Sequence, residues 1–229
     1  MTERVKPKRR YDSPRRREQA AVTRLEILDA AQRLFERDGY VATTMAAIAA
    51  EARVALKTVY VAFETKSGVL RALWNQRLRA GAEDVPIAQH PWYREVLQEP
   101  DPDRQLRLNA RNSREGKLRV AALAEVIRSA APLDPDIQAL WTRIGDEYHA
   151  NQRAIVQSLS DKQALHPDLD LEGATDILWT LNHPNTWQLL VRERGWTPER
   201  YERWSAQTAI AQLLTPQGSP QRQPRRHRS

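Results

Sequence analysis

Between Thr43 and Lys66 the chain gathers side chains suited to a polyanion: adjacent hydroxyls at Thr43 and Thr44, the guanidinium of Arg53, the run Leu56-Lys57-Thr58, Tyr60, and Lys66. Hydroxyls, amines and guanidinium groups donate hydrogen bonds to phosphate oxygens and base edges. Taken singly, each has an ordinary structural use: threonine as a helix cap, tyrosine as half-buried packing, lysine as solvated surface. Their chemistry is that of binding. The histidines stand at 90, 149, 166, 183 and 227, and none belongs to a Glu-x-x-His or His-Glu-x-x-His motif. No Gly-rich phosphate loop or nucleophile elbow is present. The chain reads as a non-enzyme with no cofactor and no metal site. It has no Cys, which excludes disulfides, thiolate catalysis and Cys-ligated zinc.

Short helices must position these groups. A helical pattern begins near Glu18, with Val22, Leu25, Leu28, Ala31 and Phe35 at three- and four-residue steps, and should stop at Asp38-Gly39. Thr43 is the expected N-cap of a second helix, with Met45, Ile48 and Ala49 inward, running to about Glu51. A tight connection at Ala52-Arg53-Val54 leads into a third helix, about Leu56 to Phe63, with Val59 and Phe63 as its apolar face. A fourth starts near Lys66-Ser67 and carries Val69, Leu70, Leu73, Trp74 and Leu78. Gly is scarce and no stretch alternates like a strand, so the fold class is all-α.

The order long helix, Gly-Tyr, Thr-Thr-Met-x-x-Ile-Ala, tight turn, Lys57-Thr58-Val59-Tyr60-x-x-Phe63-x-x-Lys66 resembles the DNA-binding domain of the TetR family of regulators, over residues 18–80. The resemblance implies a helix-turn-helix from Thr44 to Phe63, with Thr44, Lys57, Thr58, Tyr60 and Lys66 as DNA contacts and a ligand-binding and dimerisation domain behind it. It implies double-stranded DNA as partner, a homodimer on a palindromic operator, repression, and a small-molecule effector of unknown identity. Two positions depart from the family pattern: Arg53 stands where Gly is usual in the turn, and Ala55 where Ser or Thr usually caps the recognition helix. A left-handed backbone at Arg53 costs roughly 1 kcal/mol relative to Gly. A phosphate contact by Arg53 would offset part of this.

Net charge is +7 at a sequence pI near 10.0. Residues 1–17 hold eight Lys and Arg against Glu3 and Asp12, and residues 215–229 hold four Arg and no acid, so the body between them is net acidic. Such tails read as disordered and attract polyanions without reading sequence. The basic start has no apolar core, so it does not read as a secretory signal, and no apolar run is long enough to span a membrane. The expectation is a cytoplasmic protein with no membrane partner.

Beyond Leu78, Gly81, Pro86, Pro91, Pro100 and Pro102 mark a boundary at 81–102. Further helices are expected over about 103–131, broken near Gly116, over about 136–160, from Leu171 to a kink at Pro184, and from Pro198 to about Leu214 with Thr197 as cap. The domains are therefore a basic arm at 1–17, a DNA-binding domain at 18–80, an effector-binding and dimerisation domain at 81–214, and a basic tail at 215–229. Aromatics with polar handles suggest a pocket: Trp92, Tyr93, Trp141, Tyr148, Trp179, His183 and Trp187. The last two helices, about 171–194 and 198–214, are the dimer candidates. A non-specific nucleic-acid-coating protein, resting on the tails, and a helical ligand-binding protein without operator recognition, resting on Arg53 and Ala55, are the alternatives.

Overall fold

The computed structural model describes residues 14–78 and 89–215. Among these residues all regular structure is helical, apart from one antiparallel bridge between Leu165 and Leu214. No helix among them is long and apolar enough to cross a membrane. The chain divides into two compact units, Met1–Leu73 and Trp74–Ser229, so the division falls inside a helix and not at the proline-rich stretch.

The first unit holds α1 (Pro14–Ala42), α2 (Met45–Glu51), α3 (Leu56–Phe63) and most of α4 (Lys66–Leu78). Gly39 (φ 78°) breaks α1 three residues before its end, a conformation that a Cβ disfavours. The helix begins at Pro14, so Arg15, Arg16 and Arg17 are helical and exposed and not part of an arm. The rest of the expected arm, Gly81, Pro86, and residues 216–229 of the expected tail lie outside the described residues. Val22 and Leu25, expected inward, are exposed, and burial starts at Ile27. The reason is length. At ~1.5 Å per residue α1 is roughly four times as long as α2 or α3, so short partners cover only its later turns. There Leu28, Ala31 and Phe35 are buried, as are Ile48 on α2, Val59 on α3 and Leu70 on α4.

The corner between α3 and α4 is tight. Glu64 (φ 62°, ψ −51°) is the centre of a γ-turn in which the Thr65 N–H donates to the Phe63 carbonyl at 2.6 Å. The next turn passes so close that a Cβ on Gly68 would sit 2.2 Å from that same carbonyl oxygen.

The second unit holds α5 (Pro91–Gln98), α6 (Pro102–Ala130), a 3-10 turn (Ala131–Leu133), α7 (Pro135–Asp161), α8 (Leu171–Asn182), α9 (Pro184–Trp187) with a π-helical turn (Gln188–Glu193), and α10 (Pro198–Leu213). Four of these starts use one device. Asp101, Asp134, His183 and Thr197 accept backbone N–H groups through their side chains, and each is followed by Pro at the first helical position, where no N–H is needed. The break expected near Gly116 does not occur: α6 runs through it. A mid-helix Gly costs only ~1 kcal/mol, which a long packed helix absorbs. The core lies among α6, α7, α8 and α10, on Leu106, Ile155, Leu159, Leu178, Ala209 and Leu213.

Candidate nucleic-acid interface and ligand cavity

In the first unit the α2–α3 connection closes as a Schellman turn: Val54 N–H donates to Ala49 O at 3.0 Å and Arg53 N–H to Ala50 O at 3.1 Å. The left-handed residue of that turn is Arg53, φ 56°. Its side chain is exposed. Ala55 precedes α3 with no side-chain cap, leaving the first N–H groups of that helix without an intramolecular side-chain acceptor. Val59 and Phe63 are buried while Leu56, Lys57, Thr58 and Tyr60 are exposed, so α3 presents a mixed polar face outward. Arg24 secures its other end, donating to Ala62 O at 2.7 Å with its guanidinium 4.2 Å from the centre of the Phe63 ring. The sequence reading did not single out Arg24. An Arg on an otherwise exposed stretch of α1 carries no local sign of a partner 38 residues away.

Two candidate contacts turn out to be internal. Thr43 is buried and donates through Oγ1 to Gly39 O at 2.8 Å, holding the kink. The cap of α2 is Thr44, whose Oγ1 accepts the Ala47 N–H at 3.0 Å, and its side chain stays exposed. Lys66 does not reach outward as a phosphate clamp. Its ammonium donates to Tyr40 O at 2.7 Å and Thr43 O at 2.9 Å and lies 4.2 Å from the Tyr40 ring centre. Carbonyls orphaned by the end of α1 attract the nearest cation, and α4 starts beside them. The outward set is then Thr44, Arg53, Leu56, Lys57, Thr58 and Tyr60.

The second unit holds a partly open cavity of about 130 Å³. Trp92, Tyr93, Trp141, Tyr148, Trp179 and His183 all line it. Trp187 does not: it is buried elsewhere, edge-on to Tyr201 with ring centres 5.1 Å apart. Gly116 and Gly145 also border the cavity, in the interiors of α6 and α7. Neither has a positive φ, and a Cβ on either would meet nothing within 4 Å. Backbone geometry does not require Gly at these two sites, although each costs its helix ~1 kcal/mol. What they supply is room.

One wall of the cavity is charged. Lys117 on α6 is buried, and its ammonium donates to Ser113 Oγ. The rings of Tyr201 and Tyr148 lie 5.4 Å and 5.9 Å from Nζ. No carboxylate among the described residues pairs with it, and burial pushes its pKa down to about 7. His183 is also pushed down, by burial and then by Lys117. Its Nδ1 accepts the Asn185 N–H at 3.1 Å, which puts the proton of the neutral ring on Nε2. Tyr148 donates to Asn182 O. Behind it Asn109 and Asn182 both donate to Gln152 Oε1, at 3.2 and 3.4 Å. The indole N–H of Trp179 is buried without an acceptor. Sequence reasoning missed Lys117, yet a signal existed. Leu106, Ala110, Ser113, Lys117, Val120 and Ala124 follow steps of four and three along α6, so the lysine occupies an inward position of an apolar stripe.

Residues 27–73 match the family profile of bacterial regulatory proteins, tetR family. No curated protein matches the chain. Solved structures do. The SmeT–triclosan complex is 20% identical, covering 89% of this chain and 99% of its own, with a TM-score of 0.67. NalD, the secondary repressor of the MexAB-OprM multidrug efflux pump in Pseudomonas aeruginosa, is 19% identical, with coverage of 87% and 100% and a TM-score of 0.65. A TetR transcription regulator from Haloarcula marismortui is 19% identical, with coverage of 85% and 100% and a TM-score of 0.64. At these identities the likeness is one of fold, and it extends over both units.

Proposed function

With an N-terminal unit that belongs to the TetR family of bacterial regulatory proteins, and a TetR-like fold throughout, we propose that this chain is a ligand-responsive repressor that binds a palindromic operator as a homodimer. The observation that carries this reading is α3. One face is buried on Val59 and Phe63, and the other offers Leu56, Lys57, Thr58 and Tyr60 to solvent directly after a helix-turn-helix corner. In such units the second helix enters the major groove, side chains near its start meet base edges, and flanking groups hold phosphate. Lys57 and Thr58 sit in the first turn of α3. Tyr60 and Arg53 flank them, and Thr44 lies at the N-terminus of α2. One short helix reads few bases, which is the case for a two-fold dimer with half-sites roughly 34–36 Å apart. On α8 and α10, Leu178, Leu181 and Leu213 are buried in the core, whereas Ile177, Ile210 and the C-cap Leu214 pack against that core while keeping part of their surface exposed, which a partner could cover. The cavity is the effector site in this reading, and an effector acts by preferring one spacing of the two reading heads.

Selection of random duplexes by the purified protein tests the proposal. Enrichment of an inverted repeat, retained against excess unrelated DNA at physiological salt, is the expected result; a coating protein would enrich nothing. The contribution of Arg53 is separable. Arg53→Gly relieves the left-handed backbone, so the first unit should be no less stable. If Arg53 holds a phosphate, affinity should fall severalfold and the slope of log K against log salt should become shallower by about 0.9. An unchanged slope removes Arg53 from the interface.

A further inference from the structure

The chemistry of the cavity specifies the effector more closely than its existence does; this step rests on the proposal that the cavity is the effector site. We propose that the cavity binds a small organic anion, a carboxylate on a body about the size of one aromatic ring, with Lys117 as its counter-charge. Four features support this. First, Lys117 is buried and lines the cavity, and among the described residues it has no anionic partner, its side-chain acceptor there being the neutral Ser113 hydroxyl. A buried ammonium without a counter-charge is costly, and an anion arriving in the cavity offsets that cost. Second, two further donors belong to the lining: the buried indole N–H of Trp179 has no acceptor among the described residues, and the neutral His183 ring keeps its N–H on Nε2. Third, the walls are aromatic, from Trp92, Trp141, Tyr148 and Trp179, and a cavity near 130 Å³ is close to one of ~150 Å³ that accepts benzene. Fourth, Gly116 and Gly145 keep the space open at a cost in helix propensity.

The same features argue against a cationic ligand, which would meet Lys117 head on. They also argue against a phosphate dianion, for which a single amine with no arginine fork is a weak match. The charged and titratable groups around the site are Tyr93 on α5, Lys117 on α6, Tyr148 on α7, His183 at the start of α9, and Tyr201 on α10, with exposed Arg119 and Glu147 at its border. Glu147 is turned to Arg143 at 3.9 Å. All three tyrosines are held above their usual range by burial and His183 below its own, so Lys117 is the group that changes charge between pH 7 and 8.

The test uses the full chain, with benzoate as probe and benzamide as its neutral isostere, by calorimetric titration at pH 7 and pH 8. Benzoate should bind at least tenfold tighter than benzamide at pH 7. Its affinity should fall about fivefold at pH 8, as the protonated fraction of Lys117 drops around a pKa of about 7. Lys117→Met, which keeps the length and burial of the side chain, should abolish both the preference and the pH dependence. Equal affinity for the two probes, no binding of benzoate at millimolar concentration, or a preference that survives in Lys117→Met overturns the proposal. Operator release is measured separately. Benzoate that binds through Lys117 but leaves DNA affinity unchanged supports the anion site and refutes the effector reading of the cavity.

Discussion

Gly68→Ala is expected to unfold the first unit locally, and with it to abolish the operator binding proposed above, with a loss of stability of about 3 kcal/mol or more. The physical cause is a single distance. The new methyl would lie 2.2 Å from the Phe63 carbonyl oxygen, a backbone atom that no side-chain rotation can move. That carbonyl is itself committed, because it accepts the Thr65 N–H at 2.6 Å in the γ-turn centred on Glu64. Relief would require α4 to back away from the end of α3, which would uncover Phe63 and Leu70. Six of the seven tryptophans lie beyond α4, so tryptophan fluorescence reports mainly the second unit, with Trp74 on α4 the exception. Amide exchange at Ile48, Val59 and Val69 should lose protection while the fluorescence transition stays in place. Gly116→Ala is the control, since its methyl meets nothing within 4 Å and α6 should gain up to ~1 kcal/mol. If Gly68→Ala retains full protection and operator affinity, the corner is not the constraint described.

The second large effect has the opposite sign. Lys117→Met should stabilise the second unit by about 2–4 kcal/mol at pH 7, because it removes a buried ammonium and leaves an apolar chain of similar length. The pH dependence gives the sharper reading. Lys117 has a folded pKa near 7, against about 10.4 for lysine in an unfolded chain. Between those values the unfolded state binds more protons, so the wild type gains stability as pH rises through the window. The methionine variant lacks that gain. The difference between the two should therefore be largest at and below pH 7 and shrink toward zero near pH 10. Urea unfolding followed by tryptophan fluorescence measures it directly. A variant less stable than wild type at pH 7, or a difference independent of pH, would mean that the ammonium is compensated by contacts other than those described. Stabilisation together with lost anion binding is the pattern of a residue kept for a ligand at the expense of stability.

Much of this molecule is legible in one dimension. Proline and capping signals at Asp134-Pro135 and Thr197-Pro198 mark where helices start, because they act within one turn of backbone. The left-handed turn at Arg53 is anticipated from the family resemblance, which usually has Gly at that position, and φ 56° is what is observed. The cavity aromatics were legible as a class, from Trp92 to His183, but the exclusion of Trp187 was not, since it depends on which neighbour its ring meets. Thr43 and Thr44 are the plainest case. The two are chemically identical neighbours at one helix start, and one is buried against Gly39 while the other is left exposed.

The sequence by itself determined the all-α class, the two short helices joined by a tight turn at Ala52-Arg53-Val54, and the absence of thiol chemistry, because these follow from local periodicity and residue type; that the pair is a helix-turn-helix comes from the family resemblance. Tertiary structure decided the fate of individual charges. Lys66 was assigned to the carbonyls of Tyr40 and Thr43, and Arg24 to the end of α3, over separations that no local pattern encodes. Among the described residues Lys117 is a cation on a cavity wall without a carboxylate partner, because α7 and α10 bring tyrosine rings to its side. The energy of a charge depends on the solvent and partners that packing leaves it, and those are set by neighbours distant in the chain.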